Sequence, residues 1–264
     1  MIPRDYITEW RARAPWVDNA QVEQDLVICR ALVSIFSHPV LSNALAFRGG
    51  TALYKLYLTP AARYSEDIDL VQVRAEPAGA VMDALREVLD PWLGKPQWKQ
   101  TEGRLTFSYR FSSEDPTPLP LRLKVEVNTR EHFTAHGFRH VPFAITSRWF
   151  NGAADVTTYD LDELLGTKLR ALYQRRKGRD LFDMATALAH GGIDPARIVA
   201  AFRRYMDEGG HRVTRAEFEG NLAAKMEDKR FLSDIPPLLA AGQQWNAPQA
   251  AAALVVERLF SLLM

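Results

Sequence analysis

The sequence predicts an α+β fold, a mixed β-sheet flanked by helices and followed by a helical C-terminal domain. Three observations carry that prediction. Leu121, Leu123, Val125 and Val127 alternate with Arg122, Lys124, Glu126 and Asn128, the period-two pattern of a strand with one buried face. Val22, Leu26, Cys29, Val33 and Phe36 recur at helical spacing. From Tyr159 onward the pattern turns helical and stays so. We therefore place a sheet domain with an N-terminal helix over 1–157 and a helical domain over 158–264.

Taken in order, the first helix should run from Gln21 to Ser37 and stop before Pro39, with Trp10 and Trp16 ahead of it as anchors on the core. Leu45 to Phe47 reads as a short strand that delivers the turn Gly49-Gly50-Thr51, which can open directly into a helix over Thr51 to Leu58. A strand follows from Asp67 to Val73. Pro77 to Leu89 has Pro at its start and Val81, Leu85, Val88 and Leu89 inward, so it reads as a helix broken by Pro91 and Gly94. Thr101 to Phe111 and Leu121 to Asn128 read as strands around the Pro- and Ser-rich loop Ser112 to Pro120. Phe143 to Thr157 reads as irregular chain or short strands. Asp160 with Glu163 forms a helix start for the run Leu161, Leu164, Leu165, Lys168, Leu169, Leu172. Gly178 breaks that run, a new helix begins at Arg179 or Asp180, and Pro195 to Met206, Ala216 to Met226 and Ala250 to Leu263 complete the chain.

Composition narrows the class. The 264 residues carry a formal net charge of only +1, so any nucleic-acid contact must come from local clustering of the 33 basic residues. Cys29 is the only cysteine, which excludes an intrachain disulfide and a cysteine-rich zinc site, and its place on an apolar stripe makes it a small core residue. The N-terminus lacks an apolar leader, and no uncharged apolar run reaches the roughly 18 residues of a spanning helix. A cytoplasmic protein without membrane association is expected.

Chemistry concentrates between Phe47 and Leu70, FRGGTALYKLYLTPAARYSEDIDL. A Gly-Gly turn lets backbone approach a ligand, and the free N–H groups of a helix start favour an anion. Asp67 and Asp69, two apart on a strand, project from one face and repel each other. A divalent cation relieves that repulsion, and an oxygen-only site with room for phosphate oxygens suits Mg²⁺. Glu126 is the natural third carboxylate, on a polar face that also carries Lys124; the bland alternative is a solvated strand face. Ser65 would share the face of Asp67 and Asp69, and Arg63 either joins it at the phosphates or anchors the loop.

An anion-binding turn followed by an acid-apolar-acid strand and a later third acid resembles the nucleotidyltransferase superfamily of the DNA polymerase β type. RGGTAL followed by RYSEDIDL resembles, more narrowly, the AbiEii/AbiGii toxin family of nucleotidyltransferases. The resemblance implies a nucleotidyltransferase-type mixed sheet and transfer of a nucleoside monophosphate from an NTP, with Mg²⁺ or Mn²⁺ held by Asp67, Asp69 and Glu126. Gly49, Gly50, Thr51, Arg63, Ser65, Lys124 and Asp180 would contact the nucleotide. It further implies an RNA acceptor, plausibly the 3′ end of a tRNA, a type IV toxin–antitoxin or abortive-infection setting, and a cognate antitoxin. A small-molecule nucleotidyltransferase of the aminoglycoside type and a non-catalytic binding protein on the same scaffold remain as rivals.

A second cluster, KLRALYQRRKGRDLFD, places Lys168, Arg170, Arg175, Arg176, Lys177 and Arg179 within twelve residues, followed by Asp180 and Asp183. Such charges often only pin one helix to the next. Lys168, however, interrupts a run of inward leucines and so needs an anionic partner. The segment also resembles the family's helical motif, in which a Lys and a later Asp are needed for activity. Carried over, these are Lys168 and Asp183, with Asp180 as the near alternative; the other basic residues, Arg175, Arg176, Lys177 and Arg179 among them, are expected as RNA or phosphate contacts. His132, His136 and His140 lie four apart, but Gly137 and the absence of a partner motif make them loop histidines and not a zinc site.

Overall fold

The computed structural model describes residues 2–263, which divide into two compact units interleaved along the chain. The first comprises the chain to Leu56, Arg63–Phe133 and Phe138–Tyr159; the second comprises Tyr57–Ala62, Thr134–Gly137 and the chain from Asp160.

The first unit is built on a seven-stranded mixed sheet in the order β3-β4-β5-β2-β1-β7-β6. Its strands are β1 (Leu45–Arg48), β2 (Asp67–Gln72), β3 (Gln97–Thr101), β4 (Arg104–Ser112), β5 (Pro120–Asn128), β6 (Phe138–Thr146) and β7 (Asn151–Tyr159). β2 pairs parallel with β5 and antiparallel with β1, which in turn pairs parallel with β7. The strand alternation read from sequence sends Leu123, Val125 and Val127 of β5 and Ile68 and Leu70 of β2 into the core, each 0–1% exposed. Thr158 is a Cα partner of Phe47, so β7 extends past the 157/158 position to Tyr159.

Helices α1 (Arg4–Trp10), α2 (Asn19–Ser37), α3 (Pro39–Ala44), α4 (Gly49–Ala52) and α5 (Gly79–Leu93) complete this unit. Helix α2 is buried nearly all round, as a helix inside a core must be. Even its polar residues are used. Gln24 donates to the backbone carbonyls of Glu66 and Arg122 at 3.3 and 3.0 Å, which ties α2 to the starts of β2 and β5. Asp25 accepts from Trp10 Nε1 at 2.9 Å and pairs with Lys55 Nζ at 2.6 Å. Burial pushes the neighbouring Cys29 thiol up to about 12, which keeps it inert as a core residue.

Three local expectations change. The helix expected from Thr51 begins already at Gly49, and after Ala52 its turns widen into a π-helix over Leu53–Tyr57. Pro91 does not break α5, which continues to Leu93; a proline in the last turn forfeits only one hydrogen bond, and Gly94 at φ 77° ends the helix. The segment expected as irregular chain or short strands belongs to a long hairpin of β6 and β7 with nine residues in each strand.

The second unit holds α6 (Leu161–Gln174), α7 (Gly178–His190), α8 (Pro195–Glu208), α9 (Arg215–Met226), α10 (Lys229–Leu232) and α11 (Pro248–Leu259). Asp160 caps α6 by accepting from Asp162 N, and Thr214 with Glu217 forms a capping box on α9. The core gathers around Phe218, whose ring lies 4.3 Å from Phe260, 5.1 Å from Tyr173 and 5.7 Å from Phe202. Lys225 turns inward to the carbonyls of Leu172 and Tyr173 at the end of α6; burial lowers its ammonium to about 8, so it is charged at neutral pH and complements the helix terminus. Among the described residues no helix is long and apolar enough to cross a membrane.

Candidate active site

The β2–β5 register brings the acids together. Asp69 is the Cα partner of Glu126, and Asp67 is the partner of Lys124, so all four side chains rise from one face of the sheet. Lys124 Nζ bridges Asp67 Oδ2 at 2.8 Å and Glu126 Oε2 at 3.3 Å. Burial alone would lower its ammonium, but the hydrogen bond to Asp67 and the charges of Asp67 and Glu126 raise it instead. Burial raises the Asp69 carboxyl above the usual carboxylate range; Arg48 and Lys124 pull it down, while Asp67 and Glu126 push it further up.

Arg48 was not foreseen from sequence. The last residue of β1, it is the Cα partner of Asp69 on the side opposite Glu126. Its guanidinium forms an ion pair with Glu131, whose carboxylate also accepts from Asn128 Nδ2 at 3.3 Å. The available signal was a charge ending an otherwise apolar strand, Leu45-Ala46-Phe47, immediately before the glycine turn.

That turn is fitted closely to the acids. Gly49 has φ +83°, and a Cβ there would stand 2.4 Å from Asp69 Oδ2. A Cβ on Gly50 would stand 2.5 Å from Arg63 Nη2. Arg63 is 1% exposed, donates to the Tyr64 carbonyl at 2.8 Å and lies over the Tyr54 ring, so of its two expected roles the contacts are those of a loop anchor. β2 starts at Asp67, which leaves Ser65 outside the strand. The Thr51 hydroxyl lies 2.6 Å from the Asp67 carbonyl and 2.8 Å from the Ser65 hydroxyl. Its single proton goes to the carbonyl, and Ser65 donates to Thr51. Thr51 thereby pins the first residue of the acid strand to the glycine turn.

In the helical unit, Lys168 lies buried between two carboxylates that are fully buried themselves, 2.7 Å from Asp183 Oδ2 and 3.2 Å from Asp180 Oδ1. Both candidate acids thus contact the lysine. Arg175 grips Asp180 through two hydrogen bonds of 2.7 and 2.8 Å. Burial would raise the Asp180 carboxyl, but the Lys168 charge and the Arg175 hydrogen bonds outweigh it and hold it below the usual range. The other cations proposed for RNA also meet acids: Arg176 meets Asp228 at 3.5 Å, and Lys177 and Arg179 meet Asp234 at 3.6 and 3.1 Å. His132 and His140 engage the Gln72 carbonyl and the Thr157 hydroxyl, and His136 engages the Arg197 carbonyl. Among the described residues no three His, Cys, Asp or Glu side chains stand grouped to hold a metal as they are.

The donor set still fits a divalent ion. Asp67, Asp69 and Glu126 offer carboxylate oxygens only, Asp67 Oδ1 is buried without a hydrogen-bond partner among the described residues, and the Lys124 ammonium stands where positive charge is needed.

A mixed sheet presenting three acids beside a glycine turn that opens a helix is the arrangement of a nucleotidyltransferase. The family profile described as nucleotidyl transferase AbiEii toxin, type IV TA system, matches residues 30–254, and the chain belongs to that family. Among solved structures it is similar to MenT4, a nucleotidyltransferase toxin from Mycobacterium tuberculosis H37Rv, at 18% identity and TM-score 0.58 with 100% of each chain covered. It is also similar to a structure assigned as a nucleotidyltransferase from H. pylori, at 14% identity and TM-score 0.57 with 93% of this chain and 96% of that one covered. At these identities the likeness is one of fold. No curated protein matches the chain.

Proposed function

We propose that the chain transfers a nucleoside monophosphate from an NTP to a hydroxyl of an RNA acceptor, the 3′ end of a tRNA, as a cytoplasmic toxin paired with an antitoxin. The observation that carries this reading is the register that sets Asp69 against Glu126 and Asp67 against Lys124 beside Gly49. Asp67, Asp69 and Glu126 would hold Mg²⁺ or Mn²⁺, which when bound supplies charge neutralisation at the triphosphate and lowers the pKa of the attacking hydroxyl. The first turn of α4, whose N-cap Arg48 makes no side-chain cap, leaves backbone N–H groups at Gly49 and Gly50 for phosphate oxygens. Lys124 is within reach of the same face and would exchange its carboxylate partners for phosphate when nucleotide and ion enter. The acceptor hydroxyl gives up its proton to solvent, its oxygen forms a bond to the α-phosphorus as the bond from that phosphorus to the bridging α,β-oxygen breaks, and pyrophosphate leaves. The resemblance implies that Lys168 and Asp183 are needed for activity; in our reading Lys168 would neutralise charge on the phosphates and Asp183 would orient Lys168 or the acceptor, and the 2.7 Å ion pair supports orientation of the lysine.

The test is incubation with each labelled NTP and total RNA, followed by sizing of the product. Label on RNA of tRNA size that vanishes in excess EDTA is expected. Label appearing only on small molecules would remove the RNA acceptor, and undiminished transfer in EDTA would remove the metal. Gly49→Ala is expected to lower kcat by ~10-fold or more, because the new methyl must displace the Asp69 carboxylate and the backbone is held at positive φ. A steady-state assay at saturating NTP checks it.

A further inference from the structure

The polar face that carries the acids does not end at them. The strand register continues it across β5, β4 and β3 in successive rows: Asp69, Glu126, Thr106, Lys99; then Asp67, Lys124, Ser108, Gln97; then Arg122 beside Arg110. Lys99, Arg104, Arg110 and Arg122 on these strands are exposed, and the Thr106 and Ser108 hydroxyls lie half-buried between them. The apolar residues of the same strands, Leu105, Phe107, Leu123 and Val125, are buried on the other face.

Two features of this face call for an anion. Arg110 and Arg122 are direct Cα partners in the antiparallel β4–β5 pair, so two like charges stand opposite each other, an arrangement that weakens a strand pair unless a shared counter-charge relieves it. Neither they nor Lys99 form an ion pair among the described residues, and Arg104 reaches only Glu126 Oε1 at 3.5 Å. The cations around Arg175, by contrast, are each matched to an aspartate. The unmatched pair sits two residues, about 7 Å, along β5 from Lys124 and four residues, about 13 Å, from Glu126. A chain of phosphates crossing Arg110 and Arg122 therefore runs directly to the acids.

We propose that the polar face of β3, β4 and β5 is the track for the phosphate backbone of the acceptor RNA, with Arg110 and Arg122 as a joint phosphate clamp. The inference rests on the RNA acceptor proposed above. Arginine pairs bind phosphate bidentately, and hydroxyls between them add sequence-independent hydrogen bonds, so the track positions a strand without reading its bases.

The test uses the full chain, a fluorescein-labelled single-stranded oligoribonucleotide of mixed sequence and unfractionated tRNA, with affinity read by anisotropy over a series of salt concentrations. Arg110→Glu turns the repulsive cross-strand pair into an attractive one with Arg122, so its thermal midpoint should hold or rise while RNA affinity falls ~10-fold or more. The double variant Arg110→Gln with Arg122→Gln should reduce the slope of log K against log salt by about 1.4, two phosphates at ~0.7 each for a single strand, with the KM for NTP unchanged. Wild-type affinity and slope in both variants would overturn the track while leaving the transfer reading intact, provided that the parent protein still labels RNA. A parent protein that binds and labels no RNA would overturn the track together with the acceptor.

Discussion

Asp69→Asn is expected to abolish nucleotidyl transfer, by ~10³-fold or more in kcat/KM, and to leave the protein at least as stable as before. Both halves follow from its surroundings. Asp69 is flanked on one side by Glu126 and on the other by Arg48, shares its face with Asp67, and has its carboxyl raised by burial and by those two acids. A neutral amide of the same shape removes the repulsion, and Arg48 keeps Glu131 as a partner. The same amide cannot supply the negative charge needed to hold a divalent ion. Activity lost together with a higher or unchanged melting temperature is the signature of a group kept for chemistry at the expense of stability. Transfer retained within tenfold would remove Asp69 from the reaction.

Lys168→Met is expected to have the largest effect on stability, a loss of ~3–5 kcal/mol in urea unfolding, because it leaves two fully buried carboxylates without the ammonium between them. Adding Asp183→Asn should recover part of that loss, since a neutral partner no longer needs the cation, and a double-mutant cycle measures how much. The pH dependence has a definite sign. The folded Asp180 carboxyl is held below its unfolded value of ~3.9, so its contribution is present above about pH 4 and is lost as pH falls toward the folded value. The wild-type urea midpoint should therefore drop on acidification below pH 4. In Lys168→Met that drop should shrink.

What could be read in advance divides along a physical line. Asp67 and Asp69 sharing a face, and Glu126 falling on the polar face of its own strand, follow from period two, a property of each strand by itself, and the helices of the second unit follow from leucine spacing in the same local way. Arg48 depends on which strand lies beside which, and pairing register is not written in any one segment. The β6–β7 hairpin hid for another reason. β6 is an edge strand that tolerates Pro142, and β7 runs through Gly152, Ala153 and Asp155, residues of low strand preference that only pairing makes regular. β3 is an edge strand exposed at every position and offers no apolar pattern at all. Thr51 and Ser65 were visible as hydroxyls near the acids, but their mutual hydrogen bond required the chain between them to fold back.

One buried carboxylate limits how the molecule can be divided. Glu163 of α6 is 0% exposed and accepts from Thr134 Oγ1 at 2.6 Å, from the backbone N–H groups of Ala135 and His136 at 2.8 Å each, and from the Tyr205 hydroxyl at 2.8 Å. Three of those donors come from a four-residue excursion that the chain makes between β5 and β6, far upstream of the helices it joins. A gene fragment beginning after β7 would encode α6 to α11 yet remove three of the four donors to this buried carboxylate. The helical half is consequently no detachable cassette, and recombination or truncation at the apparent junction should yield insoluble product.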